Sequence, residues 1–310
     1  MIFTRSPSAA GWTVLAADAK QLRYVQGSAT GKPCVFAFGE AELTGDGQGL
    51  ARAVKEFRIS RPAQCATLLG ASDYQIHLVE APDVSAQELK SAMKWRLKEV
   101  IDFPVEEAGY DILDLPADRH GPAHKHSVYA VAAKKQVLKA CVDRFDKAGI
   151  PISVIDIPET AQRNVAALYE SDDRGVGWLY FDASGGLLTV TFGGELYLSR
   201  RLDITLTQLR ESQGEARKDL FDRVLLELQR TLDNFERQFS FIVIDKVMVG
   251  PEPEDTGLVA HLIANLDTRV EAVDLRTVID VPGDQRLDPG AQWRMFHLIG
   301  CSFRSGTATQ

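Results

Sequence analysis

The 310-residue sequence has little that would serve catalysis directly. Its four cysteines, Cys34, Cys65, Cys141 and Cys301, are scattered through apolar segments, the pattern of reduced cytoplasmic thiols rather than of a disulfide framework. Three of the six histidines, His120, His124 and His126, share one polar loop, with no cysteine or carboxylate at ligand spacing, so a solvated loop is expected there and no metal. No Ser/His/Asp or Cys/His arrangement pairs a nucleophile with a base. Long apolar runs are missing too: Phe241-Ile-Val-Ile stops at Asp245 and Lys246, far short of the roughly 20 apolar residues that span a bilayer. Met1–Ala10 carries no cationic-then-apolar signal pattern. Basic clusters are absent from a chain with a formal net charge of -8, which argues against nucleic acid as a partner.

What is present is a core-forming composition and one pattern that occurs twice. Hydrophobic residues make up 45% of the chain, enough to bury two domains. In Gly11-Trp-Thr-Val-Leu-Ala-Ala-Asp18 an apolar strand runs into an aspartate beside small residues, and an apolar strand returns through Val25. About 164 positions later, Val176-Gly-Trp-Leu-Tyr-Phe-Asp182-Ala-Ser-Gly-Gly does the same and returns through Phe192. Gly185 and Gly186 suit the positive φ of a tight hairpin whose amides can cradle an anion. Asp182 equally suits a plain turn cap. The first copy has Ala17, Ala19 and Lys20 where such a loop would want glycine and a hydroxyl.

Short strands rich in Val, Ile, Tyr and Phe open the chain at Trp12–Asp18, Leu22–Gly27, Cys34–Phe38, Cys65–Leu69 and Tyr74–Val79, interrupted by a helix about Gly49–Phe57. Gly45-Asp-Gly47-Gln-Gly49 lacks dinucleotide-loop spacing and reads as a connector. Ser85-Ala-Gln-Glu88 predicts a capping box and a helix ending near Phe103-Pro104, with Leu89, Met93, Leu97 and Val100 as its buried stripe. Two strands flank the loop Ala117–His126. A helix Lys135–Ala148, a strand Ile152–Ile157 and a helix Pro158–Leu168 follow, up to an acidic linker at Glu170–Gly175. The second half opens with three strands, Trp178–Asp182, Leu187–Phe192 and Glu195–Arg201. A long helix with Phe221, Val224, Leu228, Leu232, Phe235 and Phe239 on one face comes next. A strand Ile242–Val249, a helix Gly257–Leu266, a strand Val270–Val273 and a helix Gln292–Phe303 close the order. The expected architecture is two α/β halves, 1–170 and 171–310.

Four features together resemble the PilM-like family of the actin-like ATPase superfamily, and within it the branch serving mannose-sensitive haemagglutinin (MSHA) type IV pili. They are the two aspartate loops, Trp95-Arg-Leu-Lys-Glu-Val-Ile-Asp-Phe-Pro104, Ala148-Gly-Ile-Pro-Ile-Ser-Val-Ile-Asp-Ile157 and Ile299-Gly-Cys-Ser-Phe-Arg304. The resemblance implies an actin-like fold: two RNase H-like halves, a small α/β subdomain inserted in the first at about 81–152, and a nucleotide cleft between the halves. It implies a closing helix at 292–303 packed back on the first half. It also implies a cytoplasmic scaffold of pilus assembly, held at the inner membrane by the short N-terminal peptide of a PilN-like bitopic protein, with other pilus-assembly components nearby. A cytoplasmic domain of a type II secretion protein is a further reading, but those continue into a membrane span and this sequence ends at Gln310 without one.

The residues carried over for ATP are Asp18, Asp182, Ser184, Gly185, Glu227, Arg230, Gly250 and Gly257. Several depart from the family pattern. Asp18-Ala-Lys-Gln lacks the glycine, and Gly250-Pro251 replaces a glycine pair. Only a short segment lies between Arg201 and Asp219, where relatives carry a closing subdomain. Positive φ at Ala19 would cost roughly 1–2 kcal/mol, Pro251 donates no hydrogen bond, and each lost bond to phosphate is worth about 1.5–3 kcal/mol. No bound cofactor and no catalysis are therefore expected. The alternative is an ATPase using ATP with Mg, whose nucleotide state regulates docking.

Trp95 falls about 170° from the apolar stripe of its helix at 100° per residue. It is either an interface anchor or covered by a strand of the inserted subdomain. Family members bind the partner peptide in a groove between the first subdomain and the inserted one, so Trp95, Ile101, Phe103 and Pro104 are the candidate partner surface.

Overall fold

The structure, a computed structural model, describes residues 11–44, 48–57, 64–116 and 127–305. The histidine loop and most of the Gly45–Gly49 connector lie outside these residues.

Alternating apolar positions build a first sheet. Strands β1 (Trp12–Ala17), β2 (Gln21–Ser28) and β3 (Cys34–Glu42) form an antiparallel meander. Helix α1 (Gly49–Glu56) then leads to β4 (Cys65–Leu68), which lies parallel to β1. The sheet order is β3-β2-β1-β4-β8, with β8 at Val154–Asp156. Between β4 and β8 the chain inserts β5 (Tyr74–Glu80), α2 (Ala86–Val100), β6 (Ala108–Asp114), β7 (Ser127–Lys134) and α3 (Lys135–Asp146). The inserted strands make an antiparallel sheet ordered β5-β7-β6.

After α4 (Pro158–Ala166) the second half repeats the first. Strands β9 (Gly175–Phe181), β10 (Gly186–Phe192) and β11 (Glu195–Leu202) form a meander. Helices α5 (Leu206–Glu211) and α6 (Gly214–Gln238) lead to β12 (Ile244–Val249), and α7 (Leu258–Asn265) leads to β13 (Arg269–Ala272). The order β11-β10-β9-β12-β13 matches the first sheet strand for strand, with the same pattern of parallel and antiparallel neighbours. Helix α8 (Pro289–Ser302) occupies the place of α4.

The expected stripe of α6 is buried from Phe221 to Phe239, because a 3.6-residue period keeps those side chains on one face of a long helix. Helices α4 and α8 cross between the two sheets. There Val14, Val25, Ala161, Val165, Trp178, Met248, Phe296 and Ile299 share one core, and Trp178 stacks on Phe296. The crossing requires glycine at 300, where a Cβ would lie 2.0 Å from the Ala161 carbonyl oxygen. Gln162 is buried at the same junction and donates to Trp178 O, Leu187 O and Thr189 Oγ1.

Some local expectations do not hold. Ser85 donates to Glu88 Oε2 at 2.7 Å instead of accepting from its amide, so the capping box at α2 is not formed. The reciprocal box belongs to α5, between Thr205 and Gln208. Helix α2 stops at Val100, which is exposed, and Ile101 takes its place against the core in extended backbone.

Candidate functional site

Both aspartate loops are hairpin turns with the same internal bond. Asp18 Oδ1 accepts from the amides of Lys20 and Gln21 at 2.7 and 2.8 Å, and Asp182 Oδ1 accepts from the amide and hydroxyl of Ser184 at 2.7 and 2.6 Å. The Lys20 amide, ahead of that of Gln21 and the charges of Arg23 and Arg144, holds the Asp18 carboxyl below its ordinary value. Gly185 has φ +140°, and a Cβ there would sit 2.8 Å from Leu202 O. Ala19 needs no such conformation, since Asp173 is the only non-glycine residue with positive φ among those described.

Between the halves lies a cleft of about 630 Å³. Asp182, Ala183 and Ser184 form one wall; Ala16, Gln21 and Arg23 of the first half form the other, and Trp293, Arg294 and His297 of α8 line it as well. Asp18 itself does not line it. Three arginines do: Arg23, Arg201 and Arg294. Arg201 is committed, with Nη2 2.8 Å from both Glu159 Oε1 and the Tyr74 hydroxyl. Burial lowers its pKa, but the Glu159 carboxylate outweighs this and holds the guanidinium charged. Tyr74 also donates to Glu159 Oε2. Arg294 Nε lies 3.1 Å from Glu40 Oε1. Arg23 makes one bond, from Nη1 to Arg294 O at 3.3 Å, and its Nε is buried without an acceptor. His297 packs edge-on to Tyr180 with Nε2 buried and unpartnered. Burial holds its pKa down to about 3, so the ring is neutral.

The other residues carried over for ATP do not join this cleft. Glu227 pairs with Arg200 and lines a separate cavity with Arg223 and Leu226, while Arg230 is exposed on α6. The Gly250 amide donates to Leu179 O and its carbonyl accepts from Trp178 Nε1. The Gly257 amide donates to Asp255 Oδ1. The backbone groups expected to meet a nucleoside are thus consumed within the protein. Arg23, Arg294 and His297 escaped sequence analysis. Their one signal was local: a lone cation in the strand Leu22–Val25, and Arg294 and His297 among the few polar positions of an apolar helix.

A second concave feature, a groove of about 180 Å³, separates the inserted sheet from the first. Asp111, Leu113 and Val131 line one side; Val154–Ile157, Thr160, Arg163 and Arg304 line the other. Both flanking strands, β6 and β8, are edges of their sheets. Arg304 Nη1 donates to Asp156 Oδ2 at 2.8 Å. The expectation that α2 borders this groove is not met. Met93 and Leu97 pack on Tyr110, Ile112, Val128, Ala130 and Ala132, the opposite face of the inserted sheet from Asp111, Leu113 and Val131, as strand alternation dictates. Trp95 is 75% exposed on the outer side of α2. Ile101 and Phe103 are partly buried in that same core, and Pro104 is exposed.

The repeated five-strand order, the crossing helices and the cleft between halves define an actin-like ATPase fold. Among solved structures, the chain is similar to one described as the PilM-PilN type IV pilus biogenesis complex, with TM-score 0.66 and 19% identity, covering 95% of this chain and 99% of that one. It is also similar to a protein of unknown function with an actin-like ATPase fold from Bacteroides thetaiotaomicron, with TM-score 0.51 and 7% identity, covering 88% and 93%. No family model and no curated protein matches the sequence. Among the described residues, no helix is long and apolar enough to cross a membrane.

Proposed function

We propose that this protein is a scaffold of type IV pilus assembly, of the MSHA type, that grips the short cytoplasmic N-terminal tail of a PilN-like bitopic inner-membrane protein. In this reading the chain divides near residue 170 into two actin-like halves and works in the cytoplasm, at the inner membrane through its partner. The observation that carries it is the likeness to the PilM-PilN structure over nearly the full length of both chains. The MSHA assignment rests on the segments Trp95–Pro104, Ala148–Ile157 and Ile299–Arg304. The groove between β6 and β8 supports the docking mode: two strand edges offer backbone groups to an extended peptide, and Leu113 and Val131 offer it an apolar floor.

So small a groove admits only one or two anchor side chains. Truncating an anchor contact can cost about 2 kcal/mol, roughly thirtyfold in affinity. Leu113→Ala and Arg163→Ala should each weaken binding of a PilN-like N-terminal peptide in calorimetry, while Trp95→Ala leaves it unchanged. Full affinity in both groove variants, or its loss in Trp95→Ala, would move the tail to the outer face of α2.

A second reading, an ATP-binding protein whose nucleotide state regulates docking, is favoured by Asp182 and Ser184 on the cleft wall. Micromolar binding of Mg-ATP that Asp182→Ala abolishes would promote it.

A further inference from the structure

We propose that the cleft between the halves is a metal-independent oxyanion site, in which Arg23 and Arg294 hold a small phosphate-type ligand against the Ala183–Ser184 turn. The inference goes beyond tail docking and does not depend on it.

The residues present fit a magnesium-bound nucleotide poorly. Magnesium is held through carboxylates, water and phosphate oxygens, yet among the described residues Asp182 is the single carboxylate lining the cleft, and one of its oxygens already accepts two bonds from Ser184. Asp18 lies off the cleft with its Oδ1 spent on two amides. Three arginines line the same cleft, and their charge disfavours a divalent cation there. Of the groups carried over for a nucleoside, the Gly250 and Gly257 amides are already bonded within the chain, and Glu227 and Arg230 lie off this cleft.

The same residues suit a free oxyanion. Arg23 is a partly buried cation that forms no ion pair among the described residues; Asp18 feels its charge and Glu40 lies opposite it across the strands, but its one side-chain bond goes to a backbone carbonyl. Arg294 Nε stands near Glu40 without forming an aligned hydrogen bond, so its guanidinium keeps donor capacity. Both side chains carry buried Nε atoms without an acceptor. A planar guanidinium offers paired donors that match phosphate oxygens, with strong, charge-assisted bonds. The facing charges are Glu159, which neutralises Arg201, Glu40, which partly offsets Arg294, Asp18, which lies off the cleft within reach of the Arg23 charge, and Asp182, the one acidic wall residue among those described. Opposite, the Ala183 amide donates to no acceptor among the described residues, next to a turn pinned by Gly185.

Calorimetry and thermal melts with the full chain in EDTA test this, using inorganic phosphate, pyrophosphate and ATP as probes, each repeated with Mg. Pyrophosphate should bind and raise the melting temperature without metal. ATP should bind no tighter than pyrophosphate, because the nucleoside finds no partners, and Mg should weaken both by sequestering the charge. Arg23→Gln should lower pyrophosphate affinity at least about tenfold, the loss expected for one charge-assisted bond, with the unliganded melting temperature and tail-peptide binding unchanged. If that variant proves unstable, Arg23→Lys keeps the charge but loses the fork and should weaken binding several-fold. Absence of binding at millimolar pyrophosphate, a requirement for Mg, ATP binding much tighter than pyrophosphate, or unaltered affinity in a folded Arg23 variant would each overturn the proposal.

Discussion

His297 shows how one buried residue sets a pH limit. Its ring is kept neutral chiefly by burial, with Arg201 adding to this and Asp182 opposing it, and the folded pKa of about 3 lies well below the ordinary histidine value. The unfolded chain therefore binds a proton that the folded chain refuses in the interval between the two values. The resulting stability is fully present above about pH 6.5 and is lost as pH falls toward the folded pKa. Denaturation midpoints should drop between pH 7.5 and pH 5, and His297→Phe should flatten that dependence, since phenylalanine keeps the ring contact with Tyr180 without a titrating group. A steep fall retained in His297→Phe would assign the limit to other groups.

At the scale of elements, α2 separates two roles that one helical wheel leaves together. Leu97 is fully buried against the inserted sheet, so Leu97→Ala should cost about 2–5 kcal/mol in chemical denaturation. Trp95 projects from the far side and touches no core, so Trp95→Ala should stay within about 0.5 kcal/mol of the parent. The periodicity of α2 predicted its faces except at Val100, which is exposed. It did not predict which side of the inserted sheet the helix would cover, because that depends on β6 and β7 presenting Tyr110, Ile112, Ala130 and Ala132 to it while Leu113 and Val131 turn to the groove. The failed box at Ser85 has a similar cause. The motif was legible, but the hydroxyl found the Glu88 side chain before its amide, a choice made in rotamers rather than in spacing.

For the whole molecule, one buried cluster joins all three structural units. Tyr74 comes from the inserted sheet, Glu159 from α4 and Arg201 from the edge strand of the second sheet, and Glu159 is fully buried between the other two. Nearby, Tyr129 of β7 accepts from the Ser199 amide and donates to Tyr197 O, fastening the inserted sheet to the same edge strand. A half that is clamped at its edge resists rotation about the cleft. Removing the partner of a fully buried carboxylate leaves that charge uncompensated, so Arg201→Ala, which strands Glu159, should destabilise the protein by about 3–5 kcal/mol. Hydrogen exchange should also rise in β5 and β11 together. Faster exchange in only one of those strands would show that the cluster does not couple the units.

Sequence by itself determined the order and kind of the main elements, though not the short helix α5, together with the paired aspartate turns and the buried face of α6, because each depends on residues within a few positions of one another. Turn formation at Asp18 and Asp182 needs only their own neighbours two or three residues on. The tertiary structure alone decided what those pieces face. Arg23, Asp182 and Arg294 meet although they are far apart along the chain, and glycine at 300 is required only because Ala161 of another helix passes 2.0 Å from where its Cβ would be. Such meetings are fixed by how two sheets and their crossing helices pack, a long-range property that local periodicity does not encode.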